Sequence, residues 1–404
     1  MRLKETERRQ AGGVCSLPIT MKLSIILLLL ILIVASCSTE PEAEERNGAD
    51  GDMQGEPLGT VVLDERLEEM EEEDASMIEF GGPPPDGIPS IDHPQFERVE
   101  EASAWLEPQE PVVFVKGEET AKAYPLQVLM WHEIVNDVID GVPAAVTYCP
   151  LCNSSFTFKR EAGGETMTFG TTGYLHGGAL MMYDRQTHSL WAHFGGGALS
   201  GPMTGTDLTI IPSSIISWEQ FAAEAPDGEV LSRDTGYSRD YGANPYAGYD
   251  DIDESPFLFS QETDGQYPPM QRLTALEIEG EAAGYLQEDL EENRLIQDTV
   301  GGRDVILIHE KGTASGLDDD SVAGGRDIGS VSAFFRDTEE GPLTFHLEDG
   351  VIVDEQTGSA WSWSGRAAAG ELEGIQLEAV PFQVDTFWFA WSTYRPDTRM
   401  VSGE

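Results

Sequence analysis

Basic side chains are scarce in this sequence of 404 residues. Lysine and arginine together number 24 against 73 aspartates and glutamates, which gives a formal net charge of −49. Nucleic acids and anionic membrane surfaces are polyanions, so the charge makes both poor partners. The acidic residues are spread along the chain, including segments 224–254 and 277–292. This distribution indicates adaptation to high salt, where self-repulsion is screened within about one Debye length, ~3 Å at 1 M salt.

Several motifs of common enzymes are missing as well. No Gly-x-Ser-x-Gly segment is present, which argues against a hydrolase with that nucleophile turn. The pair His132-Glu133 lacks the second histidine that a zinc protease helix requires. The glycine-rich segment 195–201 has neither the spacing nor the lysine of a phosphate-binding loop, so it predicts a flexible turn.

The sequence has only four cysteines, and their positions matter more than their number. Cys15 lies in a polar stretch before a second methionine, Met21. From there a short basic start, an apolar run over 25–35 and a small-residue exit to Cys37 have the pattern of a secretory signal peptide. The run is shorter than the ~20 apolar residues of a spanning helix, although an uncleaved anchor is the alternative. Residues 1–37 are therefore interpreted as a mis-called start plus a signal peptide.

Cys37 ends the segment Val34-Ala35-Ser36-Cys37, which resembles the lipobox of bacterial-type lipoproteins. In such proteins the cysteine is lipidated and becomes the mature N-terminus. The sequence thus predicts a lipid anchor at Cys37, a membrane as partner through that anchor, and a body on the extracytoplasmic side of the cell envelope. Residues 38–95, rich in Glu, Asp, Gly and Pro, predict an acidic flexible tether.

The rest of the chain contains an internal repeat. An Asp-x-x-Thr-x-Ser-x-Trp run occurs at 184–191 and again at 354–361. Upstream, Tyr124 and Asp137 correspond to Tyr285 and Asp298, with the same spacing along the chain in both cases. We interpret the body as two tandem related modules that arose by duplication. The boundaries are 96–231 for the first module, 232–272 for a connection rich in Tyr and Arg, and 273–404 for the second module.

Each module is predicted to have an α+β fold of mostly antiparallel β structure. In the first, β-branched and aromatic residues predict strands at 144–148 and 156–159. The sequence also predicts helices over 127–138 and 218–224. The repeated Asp run is predicted to be structural, because its Asp and Thr side chains can close a turn on the backbone.

Residues that occur in only one module are better candidates for function. Cys149 and Cys152 correspond to Glu310 and Thr313, so the second module has no thiols. The first module is enriched in soft metal ligands. The candidate metal or redox residues are Cys149, Cys152, His132, Met181, Met182 and His176.

The cysteine pair has three interpretations. A thioredoxin-like redox pair needs its first thiol at a helix N-terminus, whereas the segment after Cys152 predicts a strand. A tight turn between strands could aim both thiolates at one metal ion, with copper favoured by Cys, Met and His and zinc by Cys and His alone. A structural disulfide across a hairpin is the third interpretation.

The connection provides a second candidate site. It is the most aromatic and arginine-rich loop of a base-poor chain, and it could line a pocket between the modules. The candidate binding residues are Arg239, Tyr241, Asn244 and Tyr246. The alternative is a long loop held together by its own tyrosines.

Three separated motifs resemble one family. They are Cys149-Pro150-Leu151-Cys152-Asn153-Ser154, Met182-Tyr183-Asp184-Arg185-Gln186-Thr187 with Ser189-Leu190-Trp191, and Arg239-Asp240-Tyr241-Gly242 with Asn244-Pro245-Tyr246. Together they resemble the bacterial and archaeal domain of unknown function 3179, from about Pro111 onwards. The resemblance implies that the cysteine pair and the tyrosine-rich loop are family features, while His176 departs from the family pattern.

These observations lead to one hypothesis and one alternative. The hypothesis is a lipid-anchored envelope protein whose first module has a thiol-centred site, which binds copper or zinc or cycles a dithiol. The alternative is a non-catalytic protein that binds a ligand or another protein and contains a structural disulfide.

Overall fold

The computed structural model of the protein describes residues 57–338 and 341–402. The predicted signal peptide, the predicted lipidation site at Cys37 and the first part of the predicted tether lie outside the described residues. Among the residues described, no helix is both long enough and apolar enough to cross a membrane.

The helices of the described residues are short. In chain order they are α1 (Thr60–Glu68), α2 (Glu72–Ser76), α3 (Val99–Ala102), α4 (Leu126–His132), α5 (Trp218–Glu224), α6 (Gln287–Asn293) and α7 (Trp388–Tyr394), with a 3₁₀ turn at Val322–Gly324.

Strands make up much more of the described structure than helices do. In chain order they are β1 (Ile78–Phe80), β2 (Phe96–Arg98), β3 (Pro111–Lys116), β4 (Ala121–Pro125), β5 (Ile134–Ile139), β6 (Val142–Cys149), β7 (Ser154–Lys159), β8 (Glu161–Ala162), β9 (Glu165–Thr166), β10 (Phe169–His176), β11 (Ala179–Asp184), β12 (Leu190–Ala192), β13 (Ala198–Ser200), β14 (Ile210–Ile211), β15 (Ser213–Ser217), β16 (Glu229–Leu231), β17 (Arg272–Ile278), β18 (Glu281–Leu286), β19 (Leu295–Val300), β20 (Arg303–Glu310), β21 (Ser330–Phe335), β22 (Asp337–Thr338), β23 (Gly341–Pro342), β24 (Phe345–Glu348), β25 (Val351–Asp354), β26 (Ala360–Trp361), β27 (Ala367–Ala369), β28 (Gln383–Phe387) and β29 (Arg399–Val401).

The pairing of these strands is mostly antiparallel. With 40% strand against 14% helix, the prediction of a mostly antiparallel β fold is confirmed. Among the named strands, β16 pairs with β4 and β29 pairs with β18 in the parallel direction. In both cases a short helix, α5 or α7, separates the parallel strand from the strand before it.

The sheets of the two halves have similar orders. The first half has β15-β3-β4-β16-β2, β14-β7-β6-β5 and β1-β10-β11-β12-β13. The second half has β28-β17-β18-β29, β19-β20-β21 and β24-β25-β26-β27. In each half an antiparallel hairpin leads into a helix, α4 or α6, and then into a three-strand meander.

The repeated Asp run forms a turn with the same hydrogen bonds in both halves. The Asp184 carboxylate accepts hydrogen bonds from Thr187 N at 2.5 Å and from Trp191 Nε1 at 2.9 Å. The Asp354 carboxylate accepts the corresponding hydrogen bonds from Thr357 N at 2.6 Å and from Trp361 Nε1 at 2.9 Å. Both aspartates are fully buried, so these bonds replace the water that the carboxylates lose on folding. The structural role predicted for the run agrees with these contacts.

The helix predicted over 127–138 is wrong in its second part. α4 ends at His132, and Ile134–Ile139 is strand β5, which pairs with β6. Glu133 has a φ of +57°, and a right-handed helix cannot continue through such a residue. The chain changes direction there, and its β-branched residues continue as a strand instead.

The predicted tether also needs correction, because residues 57–95 pack on the body. Strand β1 pairs with β10, and Leu63 and Met70 are buried in one cluster with Met181 and Tyr183. Burial of these apolar side chains against the sheet favours the packed arrangement. The predicted boundary at residue 95 therefore lies inside the folded body.

The largest hydrophobic core contains residues from both halves. Phe156 of β7 packs edge-on against Phe382, with ring centroids 5.2 Å apart. Trp191 of the first half and Trp388 and Trp391 of α7 are almost fully buried in the same core. The two predicted modules therefore share one hydrophobic interior.

Candidate functional site

The cysteine pair lies in the connection between β6 and β7, which we call the thiol turn (residues 149–154). Cys149 is the last residue of β6 and is paired across the sheet with Ser154, the first residue of β7. Asn153, with a φ of +51°, completes the reversal of the chain. The predicted turn between strands is confirmed, and the helix N-terminus that a thioredoxin-like pair needs is not found at this position.

The two sulfurs are free thiols with opposite electrostatic environments. Cys149 is 1% exposed and Cys152 is fully buried. Burial raises the pKa of Cys149, but hydrogen bonds from the Cys152 side chain and from the N–H groups of Cys152, Leu180 and Leu151 outweigh it and lower the pKa. Burial and the neighbouring Cys149 sulfur raise the pKa of Cys152 well above its usual value. Cys149 is therefore the sulfur that holds a negative charge more easily.

Cys152 is the first member of a buried polar chain. Its Sγ lies 3.0 Å from Ser154 Oγ, which in turn lies 2.8 Å from His193 Nε2. Burial lowers the pKa of His193 to about 3, so its imidazole is neutral near neutral pH. The Ser154 hydroxyl thus connects the less acidic thiol, Cys152, to the neutral imidazole of His193.

Glu133 lies beside the more acidic thiol. It follows α4 directly, and its carbonyl accepts a hydrogen bond from Tyr148 N at 2.9 Å. Glu133 is only 7% exposed to solvent. Burial, followed by the negative charge of Cys149, raises the pKa of the Glu133 carboxyl well above its usual value. A raised pKa favours the protonated form of the carboxyl group, which can donate a proton.

Tyrosines of the connection cover the thiol turn. The Tyr249 hydroxyl donates a hydrogen bond to Leu151 O at 2.8 Å. Burial, followed by the charges of Glu133 and Cys149, raises the pKa of Tyr246. The fold thus brings the predicted binding residue Tyr246 next to the predicted thiol site, although the two lie far apart in sequence.

His132, a predicted metal ligand, uses both ring nitrogens for hydrogen bonds. Nδ1 lies 2.7 Å from Pro89 O, so it donates, and Nε2 accepts from Tyr241 Oη at 2.7 Å. Tyr241 Oη also lies 2.6 Å from Thr235 Oγ1. Burial lowers the pKa of His132 to about 4, against the effect of the Pro89 carbonyl. His132 therefore joins α4 to the connection.

The other predicted binding residues have structural contacts. Asn244 Nδ2 donates to Asp319 O at 2.8 Å, and Asn244 Oδ1 accepts from Tyr246 N at the same distance. The Arg239 guanidinium lies over the Tyr237 ring, 5.8 Å from its centroid. Tyr241, Asn244 and Tyr246 are thus among the residues that hold the connection in place.

The remaining metal candidates point to other places in the fold. His176 Nε2 lies 3.0 Å from Asp74 Oδ1, at the edge where β1 pairs with β10. Met181 packs in the core cluster under α1, whereas Met182 packs in the large shared core. Across residues 57–338 and 341–402, no group of three or more His, Cys, Asp and Glu side chains is arranged to hold a metal ion.

The second half contributes directly to the thiol turn. Thr386 Oγ1 donates to Cys152 O at 2.8 Å, and Phe387 N donates to the same carbonyl at 3.2 Å. A cavity of about 20 Å³ lies nearby, with Asn153, Arg272 and Asp385 in its lining. That volume holds about one water molecule.

Three residues of this site were not among the candidates predicted from the sequence: Glu133, Ser154 and Thr386. The sequence contains one signal for Glu133. The spacing that relates Tyr124 to Tyr285 leads from Glu133 to Arg294, so the two predicted modules have opposite charges at this position. Tyr249 and Thr386 reach the turn only through tertiary packing, for which the sequence has no local signal.

Comparison with known proteins identifies a family and no characterised relative. No curated protein and no solved structure matches the chain. The family model described as protein of unknown function (DUF3179) matches residues 85–398. Both the thiol turn and the loop from Arg239 to Tyr246 lie within the matched segment. Since the match covers most of the chain, this protein belongs to the DUF3179 family.

Proposed function

We propose that the protein is a dithiol redox protein in which Cys149 and Cys152 exchange with disulfides of another molecule. The observation that supports this function best is the asymmetry of the pair. Hydrogen bonds lower the pKa of Cys149, while Cys152, three residues on, has a raised pKa. A thiolate is the attacking form in thiol–disulfide exchange, so Cys149 is the attacking sulfur and Cys152 the resolving one.

The other interpretations of the pair have less support. A metal centre needs ligands besides the two sulfurs. His132 and His176 are engaged with Tyr241 and Asp74 instead. For a structural disulfide, the hydrogen bonds that favour a thiolate at Cys149 would have no role.

We also propose that Cys37 is lipidated and anchors the body outside the cytoplasm, where disulfides form and persist. The lipobox-like segment ending at Cys37 supports this. If so, a Cys37→Ser variant moves from the membrane fraction to the soluble fraction. Retention of that variant in membranes would contradict the anchor.

The two modules are proposed to descend from one duplicated unit. The Tyr124 hydroxyl donates to Asp137 at 2.6 Å, and the Tyr285 hydroxyl donates to Asp298 at 2.7 Å. The spacing from Tyr124 to Tyr285 equals that from Asp137 to Asp298. A hydrogen bond between the same residue types at matching positions is typical of a shared ancestral fold.

The redox function is tested by equilibrating the full-length protein in buffers of increasing ratio of oxidised to reduced dithiothreitol. Acid quenching, alkylation of the unfolded protein and mass spectrometry of the peptide with Cys149 and Cys152 then report the redox state of this pair alone. We expect both cysteines to become protected together and reversibly. A Cys149→Ser variant should lose the transition, because an intramolecular disulfide needs both sulfurs.

Two results would contradict a dithiol function. The first is a pair that stays reduced in every buffer. The second is a stoichiometric metal ion in the purified protein that disappears in the Cys149→Ser variant. Arg294→Gln is a matched control, because it removes a charge in the second module and leaves both thiols intact.

A further inference from the structure

The second module has an ion pair at the positions that match Glu133 and Cys149. The spacing that relates Tyr124 to Tyr285 leads from these two residues to Arg294 and Glu310. Arg294 Nη2 lies 2.9 Å from Glu310 Oε2. Side chains at these two positions therefore face each other closely enough for direct contact between their end groups.

The backbone at these positions is alike in both modules. Glu133 has a φ of +57° and Arg294 a φ of +61°, and both directly follow a helix. Each N–H donates to the carbonyl four residues earlier, at 2.7 and 2.9 Å. Each carbonyl accepts from the facing strand, from Tyr148 N at 2.9 Å and His309 N at 2.8 Å. The matched backbone therefore starts the Glu133 side chain in the same direction as that of Arg294, and the charge of Cys149 is among the causes that raise the pKa of Glu133.

We propose that the Glu133 carboxyl donates a proton to the thiolate that leaves when Cys149 attacks a disulfide, and that the substrates are aliphatic disulfides such as protein cystines. This inference rests on the dithiol function proposed above. It adds a proton-transfer residue and a substrate class to that function. An aliphatic thiolate, with a pKa near 8.5, leaves much more easily when it is protonated.

The electrostatics around the pair favour this role. The pKa of Glu133 is raised by burial and by Cys149, and that of Cys149 is lowered by its hydrogen bonds. Both shifts move the proton toward the carboxyl and away from the Cys149 sulfur. The other titratable groups around the pair are Cys152, Tyr148, Tyr246 and Tyr249, and burial raises the pKa of each of them.

The step balances in atoms, protons and electrons. The Cys149 thiolate attacks one sulfur of the disulfide R–S–S–R′, a mixed disulfide with R forms, and R′S⁻ leaves with the proton of Glu133 as R′SH. The Cys152 thiol then gives its proton to the Glu133 carboxylate and attacks the Cys149 sulfur. The group RS⁻ leaves with that proton as RSH, and Glu133 ends as a carboxylate. The protein loses two electrons and the substrate gains two.

The test compares two disulfides that differ in their leaving thiol. One is aliphatic, such as cystine dimethyl ester, and the other is an aromatic disulfide whose released thiol is acidic and needs no proton donor. In the full-length reduced protein, we expect Glu133→Gln to slow the reaction with the aliphatic disulfide about 100-fold. The reaction with the aromatic disulfide should change less than about threefold, because a low leaving-group pKa makes protonation unnecessary.

Two further variants serve as controls. Glu133→Asp retains a carboxyl group, so it should restore part of the rate with the aliphatic disulfide. Arg294→Gln changes the matching position of the second module and should react like the unaltered protein with both disulfides. Circular dichroism of each variant verifies that it is folded before rates are compared.

The outcomes distinguish failure of the proton-donor role from failure of the dithiol function. Equal slowing with both disulfides would overturn the proton-donor role, because it indicates damage to the attacking thiolate. Unchanged rates with both disulfides in Glu133→Gln would overturn it as well. If the unaltered protein forms no reversible disulfide in the dithiothreitol titration, the dithiol function itself fails.

Discussion

The hydroxyl group of Tyr249 provides a direct test of whether the connection covers the thiol turn. It donates to Leu151 O at 2.8 Å and accepts from Phe257 N at 3.2 Å. A buried hydrogen bond contributes about 1 kcal/mol net, so Tyr249→Phe should destabilise the closed connection by about 2 kcal/mol. The phenyl ring that packs against Phe387, 6.0 Å away, is retained in this variant. The cover should therefore open about 30 times more often, since about 1.4 kcal/mol is a factor of ten.

Thiol alkylation measures this opening because both sulfurs are buried. Cys149 and Cys152 are 1% and 0% exposed, so iodoacetamide reaches them only in an open state. Peptide mass spectrometry of the full-length protein should show a rate about 30-fold higher in Tyr249→Phe, in proportion to the open population.

A matched control removes a hydroxyl from the same connection. Tyr237 is 45% exposed, and within the described part of the chain its hydroxyl makes no hydrogen bond. Tyr237→Phe should leave the alkylation rate unchanged. An unchanged rate in Tyr249→Phe, or an equal increase in both variants, would show that the Tyr249 hydroxyl does not hold the connection over the thiol turn. Thermal unfolding of each variant distinguishes local opening from loss of global stability.

Two further predictions concern stability. Asp184→Asn and Asp354→Asn should each lower the free energy of unfolding, measured by urea denaturation, by about 3 kcal/mol. The reason is that each change weakens the corresponding buried hydrogen bonds, including the one to Trp191 or Trp361. A large loss of stability in only one of the two variants would contradict equivalent turns. His132 should make the folded protein less stable as the pH falls from 6.5 toward 4. Its pKa in the folded protein is lowered to about 4, so in that pH range only the unfolded chain binds a proton at this residue. The loss is up to about 3 kcal/mol. His132→Gln should make it smaller in urea titrations across pH, and an identical pH dependence would contradict this assignment.

The sequence predicted the β-rich class and the strands around the cysteine pair because the signals are local. Phe156 and Phe158 alternate on one face of β7, as expected for a strand that packs on a core. Helix α5 begins and ends at the predicted residues 218 and 224. Its Ser217 forms a capping box with Gln220, which fixes the start of the helix.

The end of α4 was misjudged because its signal is ambiguous. Ile134, Val135, Val138 and Ile139 have a spacing that fits one face of a helix as well as a buried strand. The deciding feature is the left-handed conformation of Glu133, which is unusual for a residue that is not glycine. Residue type alone gives no warning of such a conformation.

The composition of the candidate site depended on tertiary packing. In the sequence the thiol pair and the tyrosine-rich loop are separate candidates, yet Tyr246 and Tyr249 reach the thiol turn in the fold. His176 and Met181 were grouped with the thiols by their chemistry, but they pack elsewhere. The sequence identifies side chains that can bind a metal, but only the fold shows which of them lie close together.

The bond between the thiol turn and strand β28 limits how binding partners of this protein can be sought. Thr386 and Phe387 both donate to the carbonyl of Cys152, and Phe382 covers Phe156. A fragment that stops near residue 231 lacks these donors and exposes an apolar face that the intact protein never presents. Such a fragment, used as bait, would collect proteins attracted to that face. A search with the whole body, trapped as a mixed disulfide at Cys149 in a Cys152→Ser variant, would sample the native surface instead.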